Sequence, residues 1–217
     1  QPTALRKTLE MAALLFRIER DSQGKFKVCR AAGEIRDCLA KGVMAAIFHI
    51  EGAEAIDENF KTLDVLYESG LRSLGPVWSR SNIFGHGVPF RFPSTGDTGD
   101  GLTAVGKNLI RFCNDRRLLI DLSHLNEKGF WDAATLSKAP LVATHSNAHA
   151  ICASSRNLSD DQLKAVRDSG GMVGLNFASG FLREDGRWST DTPLEIMVRH
   201  LDHMLKVAGE NCVALGS

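Results

Sequence analysis

Apolar side chains at Leu5, Leu9, Ala12, Leu15, Phe16 and Ile18 recur at helical spacing, with Arg17, Glu19 and Arg20 towards the end, and predict an amphipathic helix over residues 3–20. Residues 25–29 make a short candidate strand and 31–41 a helix. Gly42 then punctuates the chain before the continuous run 43–50, which suits a strand buried on both faces. The alternation continues, with helices expected at 54–68, 102–116, 126–137, 159–168 and 193–208 and strands at 71–75, 118–122, 141–144, 172–177 and 212–216. Unbroken apolar strands alternating with helices mean parallel βαβ units, hence an α/β sheet or barrel of six or seven strands. An eight-stranded barrel needs about 250 residues, so the 217 here fit a barrel short of a terminal unit, with a doubly wound open sheet as the structural alternative.

One stretch breaks the rhythm. Residues 76–101 are rich in Gly, Pro, Ser and aromatics and carry no periodicity, as expected of a functional lid or binding loop. Within it GDTGDG (96–101) superficially resembles a phosphate loop, but no strand precedes it directly and the GK[ST] ending is missing, so it is read as a turn.

Composition narrows the function classes. With 43% hydrophobic and 24% charged residues in 23.7 kDa, the chain reads as one folded domain over 1–217. Twenty-six Lys and Arg balance 26 Asp and Glu, so nothing attracts a polyanion, and nucleic acid is excluded as an expected partner. Cys29, Cys38, Cys113, Cys152 and Cys212 contain no CxxC pair and are odd in number, which argues against a disulfide framework and a thiolate zinc site and points to a reducing, cytoplasmic setting. The apolar run 43–50 is about a third of what a bilayer-spanning helix requires, and no membrane segment is expected. The absence of an initiator Met, and a last strand that stops at Ser217, lead to the expectation of a fragment with both ends cut.

In a parallel barrel the reactive groups gather on the loops that follow the strands. The run 43–50 is followed by Glu51, strand 118–122 by Ser123-His124, and strand 141–144 by His145-Ser146-Asn147. Three metal-capable side chains thus occupy equivalent positions. Two imidazoles and a carboxylate satisfy the three-ligand, one-open-position pattern of catalytic zinc, and such a metal lowers the pKa of its bound water to about 7. Glu51, with two oxygens, could bridge two ions about 4 Å apart. The other histidines carry less. His200 and His203, three apart and ahead of a strand, suit surface or packing roles. His49 inside the apolar run reads as a hydrogen-bonded core histidine, and His86 in FGHG as a substrate contact or a solvent-exposed ring. HExxH and GxSxG are absent, as is a Cys beside a His/Asn set, so hydrolysis by metal-activated water is the remaining chemistry.

The segments HIEGAEAID (49–57), GLR…GPVWSRSNIFGHG (70–87), IDLSHLNEKGFWD (120–132), ATHSNAHAICASSRNLSDDQL (143–163), GGMVGLNF (170–177) and HLDHMLKVAGENCVALGS (200–217) resemble the membrane dipeptidase (renal dipeptidase) family of metallopeptidases, family M19. The resemblance implies a distorted (β/α)8 TIM-type barrel, here without its first and last segments, that carries two Zn2+ ions and hydrolyses dipeptides of L-Xaa-D-Xaa or L-Xaa-Gly type. By the same resemblance Glu51 is the bridging carboxylate, and His124 and His145 are the histidines of the second zinc. Arg156 in SSRN grips the substrate's terminal carboxylate, a role suited to a planar bidentate donor. Trp78, His86 and Asn147 complete the expected substrate contacts, and homodimers are usual among relatives. The sequence departs from the pattern at several points. The HxD motif of the first zinc does not occur before Glu51, and DFDG, with its proton-transferring Asp, would follow Ser217. A family histidine near the scissile bond aligns near Trp78, and a Tyr after the GLNF strand aligns with Phe181. The alternatives are another amide hydrolysis on this scaffold, of an N-acyl-D-amino acid or a lactam, or a metal-poor protein that only binds carboxylates.

Overall fold

The computed structural model describes residues 2–216. The chain opens with helix α1 (Pro2–Asp21), strand β1 (Phe26–Val28) and helix α2 (Ala32–Lys41), then β2 (Met44–Ala46) and β3 (Phe48–Glu51). Next come α3 (Lys61–Glu68), β4 (Leu71–Gly75), α4 (Ala104–Arg116), β5 (Leu119–Ile120), α5 (Glu127–Leu136) and β6 (Val142–Ala143). The last part holds α6 (Asp160–Asp168), β7 (Met172–Leu175), α7 (Ser179–Leu182), α8 (Leu194–Ala208) and β8 (Val213–Leu215). Every strand pairing is parallel, as the βαβ rhythm predicts, in the orders β1-β2, β3-β4-β5 and β6-β7-β8. A parallel bridge between Asp121 and Val142 joins the two three-stranded sheets, so β3 to β8 follow one another in chain order. This is an α/β fold in which the carboxyl ends of these six strands point the same way.

Two apolar cores hold the sheet to its helices. One gathers Leu63, Leu66, Leu71, Leu74 and Leu109 around β3, β4, α3 and α4, and the other Leu141, Ala143, Val173, Leu175 and Met204 around β6 to β8, α6 and α8. Each such side chain contributes about 1.5–3 kcal/mol when fully buried. Ile120 packs against both cores and couples them. Among the described residues no helix is long and apolar enough to cross a membrane.

Four expectations are corrected. The run 43–50 is two strands in different sheets, with Met44 67% and Ile47 47% exposed, because the chain leaves its partner β1 at Ala46 and the β3–β4 register shifts at Phe48. Apolar continuity alone could not reveal that β2 lies at the surface. The helix expected from residue 54 starts at Lys61: residues 53–60 form turns, and the Asp57 carboxylate accepts from the backbone N–H groups of Lys61 and Thr62. Strand 118–122 shrinks to β5, and α7 is a short helix in a stretch for which the sequence pattern assigned no element. The strand count is eight among the described residues, where six or seven were expected.

The loop 76–101 lies across the carboxyl ends and is pinned there by backbone hydrogen bonds. Val88 N–H donates to His124 O, Asn126 N–H to His86 O, Glu127 N–H to Gly96 O and Ser94 N–H to Ala153 O. Within GDTGDG, the carbonyls of Gly99 and Asp100 accept from Asn126 Nδ2, so the segment packs as a turn.

Gly174 in β7 lies where a Cβ would fall 2.0 Å from the Thr144 carbonyl oxygen. That closeness seats β7 against the loop carrying His145. Gly174→Ala is expected to cost about 3 kcal/mol through overpacking and to lower the melting temperature by roughly 6–12 °C in scanning calorimetry.

Candidate metal centre

Because the strands are parallel, the residues that end β3, β5 and β6 converge. Glu51 closes β3, His124 follows β5 by four residues, and His145 follows β6 by two. His124 Nε2 lies 2.9 Å from Glu51 Oε1 and 2.9 Å from His145 Nε2, and His145 Nε2 lies 3.1 Å from Glu51 Oε1. A tetrahedral ion with bonds of 2.0–2.1 Å has donors about 3.3 Å apart. The observed triangle is a few tenths of an ångström tighter, so a slight spreading of the three side chains would seat an ion. It is the one group of three or more metal-capable side chains among the described residues.

The ring orientations follow from the groups behind them. Asp121, 1% exposed, accepts from the backbone N–H groups of Ser123 and Thr144 and, through Oδ2, from the Thr144 hydroxyl. With its proton directed at Asp121, Thr144 Oγ1 can only accept from His145 Nδ1–H, 2.8 Å away, which leaves the His145 Nε2 lone pair facing the centre. The Ser123 hydroxyl accepts from His145 N–H, and Ser79 Oγ sits 2.7 Å from His124 Nδ1. Such partners behind a ligand fix its tautomer and raise its basicity. His124 adopts φ 73°, a left-handed conformation that costs on the order of 1–3 kcal/mol in a non-glycine residue and is held by the surrounding bonds.

Electrostatics suit a cation. The closely apposed rings of His124 and His145 hold the Glu51 carboxyl far below the usual carboxylate range, so it is anionic at neutral pH. Burial lowers the pKa of His124 and favours the neutral ring that a metal needs, although Glu51 opposes the shift.

Arg156 is nine-tenths buried beside this centre. Its Nη2 donates to the His145 carbonyl at 3.1 Å, its Cζ lies 5.5 Å from the Phe181 ring, and its buried Nε has no partner among the described residues. Burial, opposed by Asp121 and Glu51, lowers its pKa to about 10, so the guanidinium remains charged at neutral pH. A buried cation with an unused donor is a waiting anion site.

The other expected substrate contacts are placed unevenly. Trp78 packs its ring 5.6 Å from that of His124, at the edge of the centre. His86 bonds through Nδ1 to Ser81 of its own loop. Asn147 is wholly buried; Nδ2 donates to Asn176 O and Phe181 O while Oδ1 accepts from Asn176 N–H. Both donors of the amide are thus used within the protein, and Asn147 holds α7 in place. His49 bonds Ser73 Oγ as a half-buried histidine, His200 is buried between Leu182 O and Ala148 N–H, and His203 pairs with Asp160. Sequence reasoning missed Asp121 and Thr144. The signal was an aspartate inside the apolar stretch LLIDL, since a buried carboxylate needs donors.

The fold and the sequence have counterparts among known proteins. A crystal structure of a metallo peptidase from Rhodobacter sphaeroides, liganded with a phosphinate mimic of the dipeptide L-Ala-D-Ala, superimposes with a TM-score of 0.95 at 57% identity over 96% of this chain and 60% of that one. A Klebsiella pneumoniae protein encoded in the pqqA 5' region, itself uncharacterized, is 49% identical over 208 residues, 96% of this chain and 77% of its own length. An uncharacterized dipeptidase of Schizosaccharomyces pombe is 30% identical over 221 residues, 99% of this chain and 51% of its own length. The chain therefore spans between about half and three quarters of these relatives. The family described as membrane dipeptidase (peptidase family M19) matches residues 1–217, and the chain belongs to that family.

Proposed function

We propose that the protein is a zinc-dependent dipeptidase that cleaves L-Xaa-D-Xaa or L-Xaa-Gly dipeptides, with Glu51, His124 and His145 as metal ligands and Arg156 as the holder of the substrate's carboxylate. The observation that carries this reading is the juxtaposition of a compact donor triangle with a buried arginine whose Nη2 bonds the carbonyl of one of its members. Family membership supports it, as does the L-Ala-D-Ala mimic held by the Rhodobacter sphaeroides relative. Both imidazoles contact the same Glu51 oxygen, Oε1, a geometry that suits sharing of the other with a second zinc ion. The ordered parallel strands β3 to β8 fit a distorted barrel closed by further strands, in one domain, and the buried free thiols fit a reducing compartment.

Glu51, His124 and His145 would hold the zinc ion, which when bound would supply Lewis acidity at the scissile bond. The chain's own residues do the rest. Arg156 orients the dipeptide by its carboxylate and brings its carbonyl to the triangle. Asp121, acting through Thr144, keeps His145 in the tautomer whose Nε2 faces the site. Trp78 covers one side of His124 and excludes water there.

A substrate panel tests the reading. L-Ala-D-Ala and L-Ala-Gly are expected to turn over at least about a hundredfold faster, in kcat/KM, than N-acetyl-D-Ala, which keeps the carboxylate and amide but loses the free amino group. Equal or faster turnover of the N-acyl compound would replace the dipeptidase by an acylase. A second variant probes the support behind the ligand. Thr144→Val is expected to weaken zinc binding about 10–100-fold in a chelator competition, and Thr144→Ser to restore it.

A further inference from the structure

Four aromatic rings form a continuous wall between the metal centre and Arg156. Trp78, against His124, meets Phe90 at 5.5 Å between centroids; Phe90 meets Phe181 at 5.3 Å, and Phe181 meets Trp188 at 5.2 Å. Trp188 also faces Phe90, at 6.3 Å. The rings come from three separate segments: the loop 76–101, α7, and the loop before α8. Two glycines let the segments interlock. A Cβ on Gly180 would lie 2.6 Å from the Trp188 indole, and one on Gly186 would lie 2.2 Å from the Phe92 ring. Three buried asparagines set the position of Phe181: Asn147 and Asn157 both donate to its carbonyl, and Asn176 donates its backbone N–H to Asn147.

The wall begins at a proposed metal ligand and passes the proposed carboxylate holder, whose Cζ lies 5.5 Å from the ring of Phe181, before it ends at Trp188. A dipeptide with its carbonyl at the triangle and its carboxylate at Arg156 has one residue between those points, the C-terminal one. In that pose its side chain lies within reach of the wall. The rings offer it apolar surface, and Arg80, which lies over Trp78, is already paired with Glu54. Phe181 is buried and fixed, whereas Phe90 is 51% and Trp188 62% exposed. Those two can meet a ligand without being part of the core.

We propose that Trp188 and Phe90 are specificity-determining residues that select an apolar side chain on the C-terminal residue of the substrate. This rests on the dipeptidase reading and on Arg156 as the carboxylate holder. Neither residue takes part in bond breaking, so their contribution appears in the comparison of two substrates that differ only in that side chain. Burying an isobutyl group against an aromatic surface separates substrates by roughly tenfold or more.

The test measures kcat/KM for L-Ala-D-Leu and L-Ala-Gly with the zinc-loaded, full-length protein, with Trp188→Ala and with Phe90→Ala. The expected result is a fall of about tenfold in the ratio of the leucine to the glycine substrate in each variant, carried by KM. Trp188→Phe, which keeps a ring, is expected to retain most of the ratio. An unchanged ratio in both alanine variants overturns the proposal, including the case in which both substrates lose activity equally, because that is a structural effect. Should one alanine variant not fold, the other decides. If the unaltered protein cleaves no dipeptide at all, the dipeptidase reading itself has failed and the wall's role falls with it.

Discussion

Replacing His145 by alanine is expected to abolish both metal retention and dipeptide turnover. Glu51 and His124 would remain, two donors where a catalytic zinc site uses three protein ligands. The loss reaches further than one bond, because Thr144 Oγ1 would have no imidazole to hold and His124 Nε2 would lose a neighbour 2.9 Å away. Removing a metal that contributes several kcal/mol to the transition state lowers the rate by about 10³ or more. The fold itself is expected to survive, since His145 lies outside both apolar cores. Elemental mass spectrometry and steady-state kinetics on the same sample provide the check, with circular dichroism to show that the variant is folded. Turnover within tenfold of the unaltered protein, or full zinc content, would remove His145 from the centre.

The second large effect is expected at Arg156. Methionine there has a similar length, keeps contact with Phe181 and removes a buried charge with an unpartnered Nε, so stability should change little. Binding should change greatly. A buried charged pair with a carboxylate costs about 2–5 kcal/mol when one partner is truncated, so Arg156→Met is expected to lower kcat/KM by roughly 10³, mainly through KM. Arg156→Lys should fall between, because an ammonium supplies charge without the bidentate fork. Zinc content should stay the same, which separates this variant from the His145 one. A kcat/KM within tenfold of the unaltered protein would mean that the carboxylate is held elsewhere.

Much of this architecture was legible in the residues. The βαβ rhythm located β4 at residues 71–75, and it placed α1, α4 and α5 to within two residues at either end. It also carried the site, because a metal-capable side chain after each of three parallel strands can be recognised without knowing how the strands pair. What escaped was information held between elements. The division of 43–50 into two strands depends on which neighbour each half pairs with, and local apolarity does not encode that choice. The late start of α3 depends on the Asp57 carboxylate capping a helix four residues ahead. Asn147 looked available because it follows His145 closely, yet its amide is closed off by Asn176 and Phe181, nearly thirty residues or more further along. Asp121 and Thr144 were hidden for the same reason: neighbours only in space, they act through a hydrogen bond across the bridge between two sheets.

Dipeptide cleavage is proposed to depend on a metal ion held by Glu51, His124 and His145. The most direct test of that dependence removes metal from the purified protein with a chelator, returns zinc in measured steps, and follows L-Ala-D-Ala hydrolysis against the zinc bound. Turnover is expected to be near zero in the stripped protein and to recover in proportion to zinc bound, with no recovery in the His145→Ala variant. Full turnover by the stripped protein, or equal recovery in the variant, would contradict it.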